Sequence, residues 1–348
     1  MVKTFFDCIP CFIRQALDAV RMVTDDEQVH GRLLQEVLRA ASEMDLSQSP
    51  PAMGQHIHRQ IRQLTGDKDP YREIKCQHNR LALQLYPELR ARVYRSDSPL
   101  ETALRLAIAG NVIDLGVNTH LEETQVFEAI EQSLALPLDG DADKFAAALD
   151  QAESIMYLAD NAGEIAFDRL LLEQIPSEKV TLVVRGSPVI NDATMADAQV
   201  AGIPGLVEVI DNGSDAPGTI LEDCSAEFRR SFERSDLIIA KGQGNYETLS
   251  DEPKDIFFVL KAKCPVIARD LGCQVGSLVL RRSTPAPDGS VAMTGIDRAE
   301  LEERCIRSHK RPVRKEITTN ENRYHCRGAT AGCGSRSTFW PLSIFCDR

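Results

Sequence analysis

The stretch SIMYLADNAGE, residues 154–164, decides the fold of this 348-residue chain. It starts as a short apolar run with the length of a buried strand, and it then turns at Asp160, Asn161 and Gly163 into a helical pattern. Four similar runs follow, separated by helical stretches, at 180–184, 207–210, 237–240 and 256–260. This alternation predicts β-α-β units, and therefore an α/β fold with a largely parallel sheet covered by helices on both faces.

The first 150 residues have a different pattern, because their apolar residues recur at helical spacing. Helix ends are marked by proline or glycine, as at Pro50, Gly66 and Gly110. We therefore predict a helical N-terminal domain at 1–150 and an α/β metal-binding catalytic domain at 151–283. Residues 284–348 show no sustained periodicity, and we interpret them as a poorly ordered C-terminal tail.

Charge and hydropathy exclude several classes of function. The net charge of −12 disfavours nucleic acid as a partner, since such binding depends on Lys and Arg. No apolar run has the roughly 18–20 residues that a membrane helix needs. Asp7 and Arg14 interrupt the segment where a signal peptide would be apolar, so we expect a cytoplasmic protein. The ten cysteines are dispersed, which argues against a disulfide framework.

Hard oxygen ligands follow two of the predicted strands. Asp160 and Asn161 come directly after the first strand, and Asp192 lies 32 residues later, about the length of one β-α-β unit. Ligands bind beyond the carboxyl ends of parallel strands, where carboxylate and amide oxygens suit Mg²⁺ or Mn²⁺. The alternative is helix capping, for which Asp and Asn are common.

Positive charge and glycine follow the second and fourth strands. Arg185 could hold a phosphate or form a surface ion pair. In KGQGNYE, residues 241–247, Gly242 and Gly244 permit close approach of the backbone to an anion, with Lys241 as a nearby cation, although a simple turn has the same composition. A metal beside a lysine and a glycine loop is what phosphoryl transfer to water requires, so together these loops favour a phosphatase.

The motifs in order resemble the DUF89 family of damage-control phosphatases. They are DNAGE (160–164), RGSPVINDAT (185–194), KGQGNYE (241–247) and KCPVIARDLGCQVGSLV (263–279). DCIPCFIRQ (7–15), DPYREIK (69–75) and AGNVIDLG (109–116) are similar to the CxxC-containing prokaryotic branch of that family. The resemblance spans the chain from about residue 5 to 282, and the tail departs from it.

The resemblance implies a Rossmann-like three-layer α/β/α domain preceded by an all-α domain. It also implies metal-dependent hydrolysis of small phosphorylated metabolites, often damaged or reactive sugar phosphates, with Mn²⁺, Mg²⁺, Co²⁺ or Ni²⁺ held by Asp160, Asn161 and Asp192. The catalytic residues expected on this basis are Lys241, Asn111 and Glu164. The expected substrate-binding residues are Arg185, Asn191, Gly242, Gly244 and Asn245.

Two other functions stay open at this stage. One is carboxyl methyl transfer from S-adenosylmethionine, although the first strand lacks a glycine-rich loop after it. The other is a non-enzymatic metabolite-binding regulator with the CxxC as its sensor. The pair Cys8 and Cys11 is half of a zinc site, a redox pair or a buried structural element. Cys76 or His78 could complete a second metal site if the first and fourth helices pack together.

Overall fold

The structure is a computed structural model that describes residues 1–110, 123–285 and 291–293. The N-terminal half is helical, as predicted. Proline or glycine sets two boundaries of α3, which begins at Pro50 and ends before Gly66, a residue at φ +72°. The helices of this half are α1 (Cys8–Val23), α2 (Glu27–Glu43), α3 (Pro50–Thr65), α4 (Arg72–Arg95), α5 (Pro99–Ala109) and α6 (Glu123–Ala135).

Strands and helices alternate in the second half. The strands are β1 (Leu138–Asp139), β2 (Ile155–Leu158), β3 (Val180–Val184), β4 (Glu208–Asp211), β5 (Leu237–Lys241), β6 (Ile256–Lys261), β7 (Leu278–Pro285) and β8 (Val291–Met293). The helices are α7 (Ala142–Gln151), α8 (Glu164–Leu172), α9 (Met195–Val200), α10 (Ala226–Arg234), α11 (Gly242–Leu249) and α12 (Pro265–Leu271).

The strands form one sheet in the order β1-β7-β6-β5-β2-β3-β4, with β8 pairing on β7. Neighbours from β6 to β4 run parallel, while β7 is antiparallel to β6 and β8 is antiparallel to β7. The predicted largely parallel sheet is therefore confirmed. β2, β3 and β5 lie side by side, so the loops that follow them meet at one edge of the sheet.

Both faces of the sheet are buried, which explains why its central strands are continuously apolar. Ile155 and Tyr157 of β2 belong to the core beneath α4–α8, whereas Met156 and Leu158 belong to the core beneath α10–α12. The fold therefore has three layers, as predicted. A third cluster of apolar side chains joins α1, α2 and α3 to one another.

Strand pairing and strand length do not respect the predicted domain boundaries near residues 150 and 283. β1 belongs to the segment 1–150, yet it pairs with β7, and Arg281 donates a hydrogen bond of 2.7 Å to Asp139. β7 continues to Pro285 and thus passes residue 283. The division into 1–150, 151–283 and 284–348 stays a prediction, since most of the third segment lies outside the described residues. None of the helices in the described segments has the length and apolar character of a bilayer span.

His58 of α3 provides a test of the helical half. It is 2% exposed, and burial, followed by the charge of Arg62, lowers its pKa to about 3. Below pH 6.5 His58 is protonated in the unfolded chain but stays neutral in the folded chain, so the free energy of unfolding decreases as the pH falls toward 3. We expect this residue to remove about 2 kcal/mol between pH 6.5 and 5. Urea unfolding of His58→Phe should show a correspondingly weaker pH dependence, whereas exposed His56→Gln should match the parent chain. Equal slopes for all three proteins would contradict the assignment.

Candidate active site

The loops after β2 and β3 are joined by their backbones. Asn161 and Asp192 form an antiparallel bridge. The Ala162 N–H donates to the carbonyl of Asn191 at 2.8 Å, and the Ala193 N–H donates to the carbonyl of Asp160 at 2.8 Å. The structure thus brings together the three predicted metal ligands, which come from two neighbouring strands.

The side chains of these loops face one another in a buried cluster. Asn161 Nδ2 donates to Asp160 Oδ2 at 2.8 Å and to Glu164 Oε2 at 3.1 Å. Asp192 Oδ2 accepts a hydrogen bond of 2.7 Å from Arg185 Nε. All five side chains are at least nine-tenths buried. The helix-capping alternative does not describe Asp192, because α9 is capped by Thr194.

Negative charge is concentrated in this cluster. Burial raises the pKa of Asp160 well above its ordinary value, and the charges of Glu164 and Asp192 raise it further. Burial also raises the pKa of Asp192, although Arg185 opposes the effect. Burial alone would raise the pKa of Glu164, but the Lys241 ammonium holds it below its usual range. Such a cluster favours a cation, because positive charge relieves the mutual repulsion.

The donor set of Asp160, Asn161 and Asp192 fits a hard divalent cation. Two carboxylates and an amide oxygen are ligands that Mg²⁺ and Mn²⁺ accept. Throughout residues 1–110, 123–285 and 291–293, no three His, Cys, Asp or Glu side chains stand at the spacing of a metal site. The predicted ligands Asp160, Asn161 and Asp192 do not form such a group, since one of the three is an asparagine amide.

Gly242 and Gly244 allow close packing rather than contact with an anion. Gly242 has φ +79°, and a Cβ there would lie 2.0 Å from Asp160 Oδ2. A Cβ at Gly244 would lie 2.2 Å from the carbonyl oxygen of Pro217. The glycine loop therefore lets the backbone of α11 approach the Asp160 carboxylate, which no other residue type permits without displacing it.

Lys241 does not lie where a substrate phosphate would meet it, so its expected direct role is corrected. Its side chain is 0% exposed, and its three donors are occupied. Nζ donates to Glu164 Oε1 at 2.6 Å, to Asp168 Oδ1 at 2.6 Å and to the carbonyl of Ala107 at 2.8 Å. As the last residue of β5, it points into the layer between the sheet and α8.

The side chains of Arg185 and Asn245 are buried and bind other groups of the protein. Besides binding Asp192, Arg185 donates to Thr219 Oγ1 and to Asn245 Oδ1, each at 3.3 Å. Asn245 is 0% exposed and donates at 2.7 Å to the carbonyl of Lys241. Both residues thus orient the strand-end loops. Substrate roles for Arg185, Asn191 and Asn245 stay predictions, and Asn111 lies outside the described residues.

Lys263 was missed by the sequence analysis. It is exposed, and its backbone N–H donates to Gln243 Oε1 at 3.2 Å, next to the glycine loop. Its positive charge opposes the rise in the pKa values of Asp160 and Asp192. Its position in the sequence could have indicated a place near the site, because it follows the end of β6 by two residues and β6 ends at the same edge of the sheet.

A cavity of about 640 Å³ opens beside Arg185. Its wall includes Lys75 and Asn79 of α4 together with Asp197 of α9. Asn79 connects this cavity to the carboxylate cluster, since its Oδ1 accepts from the Gly163 N–H at 2.7 Å and its Nδ2 donates to Asp197 at 2.8 Å. The DPYREIK motif at the start of α4 therefore contributes to the wall of a cavity next to the site.

The suggested second metal site with Cys76 is not formed. Cys76 is exposed on α4 and lines the cavity near Lys75. Burial raises the pKa of Cys8 and of Cys11, and the next neighbours that raise it are Glu247 and Cys264 rather than Cys76. The cysteine whose charge acts on the CxxC pair is thus Cys264, which directly precedes α12.

Comparison with known proteins gives a matching family and several similar proteins. The family model "Damage-control phosphatase ARMT1-like domain" matches residues 4–279. A damage-control phosphatase of Archaeoglobus fulgidus is 37% identical over 280 residues, covering 79% of this chain and 97% of that protein. A damage-control phosphatase of Pyrococcus horikoshii is 36% identical over 291 residues, covering 81% and 99%. The crystal structure of a DUF89 family protein from P. horikoshii has a TM-score of 0.73 at 35% identity, covering 80% of this chain and 99% of that one.

Proposed function

Since the chain belongs to the damage-control phosphatase ARMT1-like family, we propose that it hydrolyses a small phosphorylated metabolite at the sheet edge where β2, β3 and β5 end. The observation that carries this proposal is the buried meeting of Asp160, Asn161 and Asp192 at the ends of neighbouring strands. Damaged or reactive sugar phosphates are the substrate class we propose.

Asp160, Asn161 and Asp192 would hold the divalent metal. A bound cation there supplies an acidified water and neutralises charge on the phosphoryl group. Arg185 keeps the Asp192 carboxylate in place through its 2.7 Å hydrogen bond, and Gly242 leaves room for the Asp160 carboxylate. Mn²⁺, Mg²⁺, Co²⁺ and Ni²⁺ are the candidates.

We propose that Lys263, and not the buried Lys241, supplies the positive charge that acts on the substrate phosphate. Lys263 is exposed, its backbone N–H is held by Gln243, and its charge opposes the rise in the pKa values of Asp160 and Asp192. Phosphoryl oxygens at the cluster would meet this charge from the solvent side. The cavity lined by Lys75, Asn79 and Arg185 is next to the cluster, and we propose that it receives the rest of the metabolite.

Hydrolysis of p-nitrophenyl phosphate tests the proposal. Chelated protein should be inactive, and one or more of Mn²⁺, Co²⁺, Ni²⁺ and Mg²⁺ should restore activity. A panel of phosphorylated metabolites then identifies the substrate class. Absence of hydrolysis with every metal and every metabolite would refute the proposal and favour a binding protein.

Lys263→Ala is expected to lower kcat/KM about 100-fold, because one preorganised charge on the phosphoryl oxygens is lost. The Mn²⁺ affinity should stay unchanged, since an ammonium cannot ligate a metal. Steady-state kinetics and calorimetric titration measure the two quantities. Lys144→Ala, at an exposed lysine of α7, serves as the control. Parent-like kinetics in Lys263→Ala would remove this residue from the site.

A further inference from the structure

A chain of four buried polar side chains lies behind the carboxylate cluster, consisting of Tyr157, Asp168, Lys241 and Glu164. The Tyr157 hydroxyl donates to Asp168 Oδ1 at 2.8 Å, and Lys241 Nζ bridges Asp168 and Glu164 at 2.6 Å each. Each of these side chains is at most 4% exposed. We call them the buried charge chain.

The buried charge chain ends on Asn161. The two N–H groups of the Asn161 amide are directed to Asp160 Oδ2 and Glu164 Oε2, at 2.8 and 3.1 Å. Because both acceptors are carboxylates, the opposite orientation of the amide would bring its oxygen against two negative oxygens. Glu164, together with Asp160, therefore determines which end of the amide points away from the carboxylates.

Glu164 is itself held in position from behind. Lys241 Nζ, which donates to Glu164, also donates to the carbonyl of Ala107 in α5 and to Asp168 of α8. These two further hydrogen bonds hold the ammonium in place. A Cβ at Gly110 would lie 3.0 Å from Glu164 Cγ, so the α5 side leaves little space for another rotamer. Three elements, α5, α8 and β5, thus restrict one carboxylate.

We propose that the buried charge chain is a positioning device, in which Asp168 and Lys241 hold Glu164 so that Glu164 keeps the Asn161 amide oxygen available to the metal. This inference rests on the proposed metal site of Asp160, Asn161 and Asp192. It makes Glu164 and Lys241 positioning residues that touch neither metal nor substrate. Residues that orient a metal ligand typically contribute 10- to 100-fold to metal affinity.

Calorimetric titration of the full chain with Mn²⁺ tests the inference without any activity measurement. Glu164→Gln and Lys241→Met should each weaken the Mn²⁺ affinity about 10- to 100-fold. The double variant should bind Mn²⁺ no more weakly than whichever single variant has the lower affinity, because both changes break the same chain of contacts. Glu247→Gln is the matched control, since Glu247 is equally buried but lies outside the buried charge chain, and it should bind as the parent does.

Each outcome decides the matter. An unchanged affinity in Glu164→Gln would overturn the inference, as would a loss as complete as that of Asp160→Ala, which would make Glu164 a ligand. Lys241→Met leaves two buried carboxylates facing each other and could fail to fold. In that case the double variant of Glu164→Gln and Lys241→Met, which removes one of the two carboxylates, is compared with Glu164→Gln alone, and a clearly larger loss of Mn²⁺ affinity in the double variant would contradict the inference. A parent chain that binds no divalent cation would refute the proposed metal site, and the inference with it.

Discussion

Asp160→Ala and Asp192→Ala are each expected to reduce metal-stimulated phosphatase activity by about three orders of magnitude. Losing a carboxylate ligand removes several kcal/mol of stabilisation from the phosphoryl-transfer transition state. Hydrolysis of p-nitrophenyl phosphate at saturating metal measures the effect. Asp143→Ala, at an exposed aspartate of α7, is the control. More than about a tenth of the parent activity in either variant would remove that residue from the ligand set.

The same two substitutions should have different effects on the stability of the metal-free protein. Asp160→Ala removes a buried charge that Glu164 and Asp192 repel, so thermal unfolding should occur at the parent temperature or above it. Asp192→Ala leaves the Arg185 guanidinium buried without its carboxylate, which typically costs about 3–5 kcal/mol. Calorimetry in the presence of a chelator separates the two cases, and equal shifts would contradict this account of the cluster.

Gly242→Ala is the second substitution with a large expected effect. The methyl group would lie 2.0 Å from Asp160 Oδ2, so the carboxylate has to move, and activity should fall at least about 100-fold. The φ of +79° adds strain of about 1–3 kcal/mol. Phosphatase kinetics and urea unfolding measure the two consequences.

Gly66→Ala distinguishes backbone strain from displacement of the Asp160 carboxylate. Gly66 also has a positive φ, of +72°, but a Cβ there would meet no atom within 4 Å. This variant should therefore lose stability while it retains the parent activity. Equal activity losses in Gly66→Ala and Gly242→Ala would show that strain, rather than displacement of Asp160, is the cause.

The sequence was sufficient for the parts of the site that follow from strand order. Asp160, Asn161 and Asp192 follow neighbouring parallel strands, so their meeting could be predicted. The resemblance to damage-control phosphatases is confirmed by the family match over residues 4–279. β1 was missed because it has only two residues, and the antiparallel direction of β7 depends on how the chain crosses the sheet edge.

The burial of Lys241 could have been predicted from alternation along β5. Leu237 and Ile239 point to the core beneath α4–α8, and Lys241 follows them at a spacing of two. Ending the strand one residue early, at Ala240, hid this pattern. Nothing local, by contrast, indicates that Cys264 lies near Cys8 and Cys11. That proximity arises from the packing of elements that are far apart in the sequence.

The N-terminal segment has a consequence for how the protein is made. The Val2 N–H donates to the carbonyl of Glu247 at 2.8 Å, and the Val2 side chain is buried against the α10–α12 face. These residues are 245 positions apart, so at about 5–20 residues per second a ribosome needs about 12–50 s to supply the partner. Ribosome-bound chains that end before residue 247 should therefore be cleaved by proteases near Val2, whereas the completed protein should resist cleavage there.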